Sequence, residues 1–274
     1  MFDSADQQET EFLKSILPQI GYRWQGFRKP KNQVIKRIRN RIKELNLNDL
    51  VEYQRYLENS PEEWRTLDSL CNITITRFFR DRKLWNYLRE SVFTELFSRS
   101  DGHKKRNFWS VGCCNGEEVY TLSIVLNEVS MLFNNNIEWL ITATDRDSEL
   151  INRARKGIFP RGVLKELTES EISKYFHHDN QAGGTFCIHS SIKQHIEFDL
   201  RDVRESFPDR TFDVICCRNL SFTYFSTAIQ HNFLNSIYDK LNTCGYLIIG
   251  AQESLPHTEM FQKVHNAHPV YKKL

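Results

Sequence analysis

The sequence predicts an α/β protein in which a mostly parallel sheet follows a small all-helical domain and carries a β-rich insertion. Three observations predict it. Up to about Leu70 the segments read as helices. Beyond Arg106 short apolar runs alternate with helical stretches, and residues 183–199, GGTFCIHSSIKQHIEFD, are rich in glycine and β-formers. Strands alternating with helices imply a parallel sheet covered on both faces. A chain of 274 residues suffices for a main domain with a small companion. The reading places the helical domain at 1–72, the α/β domain at 73–274 and the insertion at about 175–198.

The helical domain opens on charge. From Arg23 to Lys43 there are nine basic residues and no acidic one. Within that stretch Val34, Ile35, Ile38, Ile42 and Leu45 recur at helical spacing, which leaves Lys36, Arg37, Arg39, Arg41 and Lys43 on or beside the exposed face. Ser60-Pro61-Glu62-Glu63 supplies a cap, a first-position proline and first-turn acids for a later helix.

The strands follow in order: NFWSVG, EWLITATD, FDVICCRN and GYLIIGAQE. Asn134–Asn136 reads as a loop. With 40% hydrophobic and 26% charged residues and a formal net charge of +2, the composition is that of an ordinary globular protein. No apolar run approaches the roughly 20 residues of a membrane span, and MFDSADQQET has neither a basic start nor an apolar signal core. No membrane insertion is expected, and the expected compartment is the cytoplasm, where seven cysteines stay reduced. Cys113–Cys114 and Cys216–Cys217 are adjacent pairs, a poor geometry for a metal, and no His-x-x-x-His is backed by a carboxylate, so no metal is expected.

The chemistry concentrates in SVGCCNGEEVY, residues 110–120. The stretch leaves a strand and opens a helix, where open α/β sheets bind ligands. Gly112 and Gly116 let the backbone approach a ligand closely. Neither Gly-x-Gly-x-x-Gly nor a phosphate loop is present, and Glu117 and Glu118 would repel a pyrophosphate but suit a cationic amino group. Asp145, 33 residues after Gly112, ends the second strand, where an acid accepts bonds from ribose hydroxyls. Ribose plus ammonium without phosphate describes S-adenosylmethionine. Each acid alone also fits a bland role, as a helix-start acid or a strand-end loop residue; their order and spacing together favour the ligand.

NITITRFFRD (72–81), SVGCCNGEEVYTLSI (110–124), ITATDRDSELINRARKGIF (141–159), FDVICCRN (212–219) and GYLIIGAQESL (245–255) resemble the CheR-type chemoreceptor glutamate methyltransferases. The likeness covers about residues 30–273 and includes that family's basic helix in VIKRIRNRIKELNL. It implies a Rossmann-like class I methyltransferase sheet with the β-rich insertion and the helical N-terminal domain. It also implies S-adenosylmethionine as cofactor and S-adenosylhomocysteine as product. Glu118 matches the acid that holds the methionyl ammonium, and Asp145 the acid on the ribose. Thr74, Thr76 and Arg80 match pocket positions; Arg80 either binds the methionyl carboxylate or orients the acceptor. Asp202 and Val203 fall at the adenine, Arg218 and Asn219 near the methionine moiety, and Tyr224 at the active-site tyrosine, while an alternative for Arg218 is a structural salt bridge. Cys113 and Cys114 occupy positions that take small residues, and Phe78 and Phe79 read as core.

Three departures stand out. Thr74 replaces the usual asparagine, LSFTYF has six residues where the family has five, and Gly250-Ala251-Gln252-Glu253 replaces Gly-His-Ser-Glu. The resemblance implies methyl transfer to glutamate carboxylates, with Arg80 and Tyr224 as the catalytic, positioning residues. Another acceptor, or a fold kept as a signalling module, are the alternatives. For the basic helix three readings stand: a solvated face, a dock for an acidic helical protein such as a chemoreceptor cytoplasmic domain, or a nucleic-acid footprint. The absence of an Asp/Asn-Pro-Pro-Tyr/Phe tetrapeptide after the third strand disfavours the last. A monomer is expected.

Overall fold

The computed structural model describes residues 2–99, 105–133, 137–179 and 183–274. The loop expected at 134–136 and part of the expected insertion, 180–182, lie outside them. The chain divides into two units, 1–74 with 221–230, and 75–220 with 231–274. Among the described residues no helix is long and apolar enough to cross a membrane.

In the helical unit, the main helices span Phe2–Ile16, Lys31–Glu44, Leu50–Asn59 and Pro61–Leu70. Val34, Ile35, Ile38 and Ile42 are buried as their spacing requires, together with Phe12, Leu13, Tyr53, Leu57 and Leu67. Asp49 caps the helix it precedes by accepting from the Val51 and Glu52 amides. The charged face of Lys31–Glu44 is narrower than the periodicity suggested. Lys36, Arg39, Asn40 and Lys43 are exposed, whereas Arg37 donates to the carbonyls of Leu70 and Asn72, and Arg41 pairs bidentately with Glu63 at 3.0 and 2.8 Å. Glu63 is more than a first-turn acid: only 4% exposed, it also accepts from the Tyr53 hydroxyl at 2.8 Å.

Residues 221–230 were read as part of a continuous α/β domain, yet they belong to the helical unit. Backbone pairing holds them there. The Arg23 amide donates to Tyr224 O (2.9 Å), Ser226 N to Gly21 O (2.8 Å), and the Arg23 guanidinium to the carbonyls of Phe222 and Thr223. A Cβ at Gly26 would sit 2.3 Å from Thr223 O, so only glycine allows this approach.

The α/β unit is built on a seven-stranded sheet in the order β6-β2-β1-β7-β8-β10-β9. The strands are β1 (Lys105–Val111), β2 (Glu138–Asp145), β6 (Ile196–Leu200), β7 (Phe212–Cys217), β8 (Leu241–Ile249), β9 (Phe261–Lys263) and β10 (Val270–Lys273). The first five strands in sheet order run parallel, and β10 and β9 close the edge antiparallel. All six residues of β7 are buried; since side chains alternate across a strand, both faces of the sheet are covered there. The insertion is a separate antiparallel sheet, β3 (Ile158–Pro160), β5 (Thr185–Ile188) and β4 (Phe176–His178), in the order β3-β5-β4. It begins earlier than expected, and IEFDL, read as its last part, is β6 on the edge of the main sheet. The cause is pairing: Ile141–Asp145 of β2 take Ile196–Leu200 as their parallel partner.

Candidate functional site

The order β6-β2-β1-β7-β8 reverses direction between β1 and β7. That switch point opens a crevice at the carboxyl ends of the strands. In register, Val111 lies beside Thr144, and Ser110 beside Cys216, so the loop after β1, Asp145 and Arg218–Asn219 share one sheet edge.

The loop turns on three left-handed residues, Gly112 (φ 69°), Cys114 (φ 49°) and Gly116 (φ 96°). The φ of 69° favours glycine at position 112, where a Cβ would also approach Leu220 Cδ2 to 2.6 Å. The Cys113 amide donates to Thr144 O and the Cys114 amide to Asp145 Oδ2, both at 2.9 Å. The cysteines thus serve through backbone and packing, and none of the seven described cysteines forms a disulfide.

Asp145 is 7% exposed and accepts the Cys114 amide on one oxygen and the Asp147 amide on the other (3.0 Å). Burial raises its pKa despite these bonds. Its remaining lone pairs suit a pair of hydroxyl donors.

Gly116 ends the loop and the helix Glu117–Leu132 begins. Glu118 accepts from Ser110 Oγ (3.2 Å) on Oε1 and from Arg218 Nη1 (3.1 Å) on Oε2. Burial pushes its carboxyl up, opposed by the Arg218 and Arg80 cations. Glu117 points elsewhere: 3% exposed, it has no donor to Oε2 among the described residues, and burial pushes it up to about 7.

Arg218 is the centre of the constellation. Its side chain is 1% exposed; Nη1 reaches Glu118, Nη2 reaches Asp81 Oδ2 and Arg80 O (3.3 Å), and the guanidinium lies 5.5 Å over the Trp85 ring. The turn carrying Arg80 and Asp81 is held by two bonds, Phe79 N to Thr121 Oγ1 (3.1 Å) and Trp85 Nε1 to Arg80 O (3.0 Å). Phe78 and Phe79 are buried. Arg80 is half-buried and donates to Ile75 O at 3.0 Å.

On the other side of β7, Asn219 takes φ 57°, and its amide donates to Glu253 Oε2 at 2.7 Å. The same oxygen accepts the Gly250 amide at 2.6 Å. Among the described residues, four of the six non-glycine residues at positive φ, namely Phe79, Asp81, Cys114 and Asn219, therefore lie in these site segments. Such strain costs on the order of 1–3 kcal/mol each and persists where surrounding contacts over-determine it.

Asp202 is clamped by Arg204, whose amide and guanidinium both reach the carboxylate, with Arg146 at 3.9 Å. Burial works against ionisation, but the Arg204 bonds hold its pKa below the ordinary value. Val203 beside it is buried. Thr76 is half-buried in the segment before the Phe78–Arg80 turn.

Among the residues singled out in the sequence, the α/β unit thus brings Arg80, Glu118, Asp145, Arg218 and Asn219 to one edge. Thr74 and Tyr224 belong to the helical unit instead; the Tyr224 ring packs edge-on against Phe27 at 5.1 Å. Sequence reasoning assigned no role to Asp81, Ser110 or Glu253. Asp81 and Glu253 both stand in quoted motifs, but nothing local marks their partners. The donor set fits S-adenosylmethionine: a half-buried acid for an ammonium, a buried one for ribose hydroxyls, and a loop whose glycines admit close approach.

Residues 74–270 match the family model described as CheR methyltransferase, SAM binding domain, and residues 29–68 the one described as CheR methyltransferase, all-alpha domain. The chain is similar to a chemotaxis protein methyltransferase of Borreliella burgdorferi, 28% identical over 251 residues and covering 89% of this chain and 87% of the relative. It is also similar to chemotaxis protein methyltransferase 2 of Vibrio cholerae, at 31% identity over 84% of this chain and 82% of the relative. A chemotaxis protein methyltransferase of Listeria innocua is 32% identical over 68% of each chain.

Proposed function

The chain belongs to the CheR methyltransferase family and is an S-adenosylmethionine-dependent methyltransferase; from that premise we propose that it esterifies glutamate side chains of a chemoreceptor-like protein. The observation that carries the reading is the pair of carboxylates, half-buried Glu118 and buried Asp145, on either side of one glycine-hinged loop at the switch point.

S-adenosylmethionine supplies an electrophilic methyl group on its sulfonium and leaves as S-adenosylhomocysteine. In this reading Glu118 accepts the methionyl ammonium, and Asp145 the ribose hydroxyls. Asp202 and Val203 border the adenine, while Thr76, Arg218 and Asn219 complete the pocket. A glutamate acceptor is ionised near neutral pH and needs no general base. The residues therefore work by alignment and by excluding water. Arg80, a half-buried guanidinium acting on Glu118, is the proposed positioning group for the acceptor. The exposed basic residues Lys36, Arg39 and Lys43 suit an acidic helical acceptor, since complementary charge steers docking.

Calorimetric binding of S-adenosylhomocysteine to wild type and Asp145→Ala tests the cofactor site. Binding that the variant loses is expected; a well-folded wild type that does not bind leaves a fold without its chemistry. The acceptor is tested by alkali treatment of the methylated product. Methyl esters release methanol, and N-methyl groups do not.

A further inference from the structure

Arg218 carries one positive charge and faces two carboxylates. Its Nη1 is bound to Glu118 and its Nη2 to Asp81, with the guanidinium closed off from solvent. The Arg80 cation also acts on Glu118. Around the Glu118 carboxylate there are therefore two cations, and without Asp81 only one anion to set against them. A site with that balance repels an incoming ammonium group.

Asp81 is arranged to correct it. It stands directly before the helix Arg82–Tyr87, where an aspartate commonly caps the helix through its side chain, yet it makes no capping bond. Its backbone is instead left-handed, φ 64°, and its carboxylate, 38% exposed, is spent on Arg218. An unfavourable backbone and a forgone cap both serve the same contact.

We propose that Asp81 is a positioning residue for cofactor binding: by sharing Arg218 with Glu118, it leaves Glu118 enough negative charge to receive the cationic end of the methionyl group. The inference rests on the assignment of Glu118 to the ammonium in the proposed function. It makes the Asp81–Arg218–Glu118 chain one electrostatic unit, in which each acid sets how tightly the arginine holds the other.

Asp81→Asn tests it, because asparagine tolerates the left-handed backbone and keeps the size while removing the charge. Two probes are titrated calorimetrically against wild type and variant: S-adenosylhomocysteine, and 5′-methylthioadenosine, which has the adenosine but no amino group. The expected result is roughly tenfold weaker binding of S-adenosylhomocysteine, the scale of a charge-assisted bond, with 5′-methylthioadenosine unchanged. Asp81→Glu, which keeps the charge, is expected to recover most of the affinity. Unchanged affinity for both probes overturns the proposal. So does an equal loss for both, which reports a merely structural role that thermal unfolding of the variant would also register. Failure of wild type to bind S-adenosylhomocysteine at all is a different outcome and removes the cofactor reading on which the proposal stands.

Discussion

Arg218 Nη1 lies 3.1 Å from Glu118 Oε2, joining the end of β7 to the first turn of the helix Glu117–Leu132 in the interior of the α/β unit. The carboxylate assigned to the cofactor ammonium is thus already partnered by the protein, and Arg218 is a structural cation as much as a pocket residue.

Removing that cation leaves Asp81 without its partner and Glu118 with only the Arg80 cation beside it. Arg218→Met is expected to lower stability by about 1–3 kcal/mol, less than for a fully buried pair because Asp81 and Glu118 are partly solvated. Urea unfolding of wild type and variant measures it, and a loss under about 1 kcal/mol would show that Glu118 and Asp81 find other partners.

Glu117 makes stability pH-dependent in a direction opposite to most carboxylates. Its folded value, about 7, lies above the usual carboxylate range of about 4.3, so the folded state holds the proton to higher pH than the unfolded chain does. Its contribution is fully present below pH ~4.3, is lost as pH rises between the two values, and levels off above about 7. Glu117→Gln is expected to be more stable than wild type at pH 8 by on the order of 1–3 kcal/mol, with little difference at pH ~4. Denaturant midpoints at the two pH values decide it; the same gap at both would contradict a titrating Glu117.

Glu63 behaves in the ordinary sense. Burial pushes its carboxyl up, but the bonds from Arg41 and Tyr53 hold it below its usual value. Its contribution is present above the unfolded value and is lost as pH falls. Arg41→Ala is expected to cost about 1–3 kcal/mol at pH 7 and progressively less towards pH 3, as read from melting curves across that range.

The basic helix offers a separation of roles. Lys36→Glu with Lys43→Glu is expected to raise KM for an acidic acceptor about tenfold at low salt, while S-adenosylhomocysteine affinity stays as in wild type. Arg37→Glu, in contrast, removes the donor to Leu70 and Asn72 and lowers stability. If the double lysine variant methylates acceptor normally, this face is only solvated.

Cys114 is held at φ 49°, a conformation glycine adopts freely. Cys114→Gly is expected to stabilise the loop by a few tenths of a kcal/mol up to about 1 kcal/mol, and Gly116→Ala, at φ 96° with Ala154 and Tyr120 3.1 Å from the new Cβ, to destabilise it. Differential scanning calorimetry compares the two; a Cys114→Gly variant that melts no higher than wild type, or a Gly116→Ala variant that melts no lower, would contradict the assigned strain.

What the sequence determined by itself is local. The apolar period of Val34–Ile42, the strand runs and the glycines and acids of residues 112–118 are written in neighbouring residues, because helix and strand repeats and left-handed turns depend on side chains a few positions apart, whereas the cap expected at Ser60 makes no side-chain bond and the one at Asp49 was not expected. The motif order was legible for the same reason, and it pointed to the family. Only the tertiary structure decided who partners whom. Arg218 meets Glu118 and Asp81 across 100 and 137 positions, Arg41 is drawn inward by Glu63, β6 leaves the insertion for the main sheet, and residues 221–230 join the helical unit. A charged side chain takes its partner from whatever the fold brings within about 3 Å, and that distance is set by strand register and burial rather than by the sequence around it.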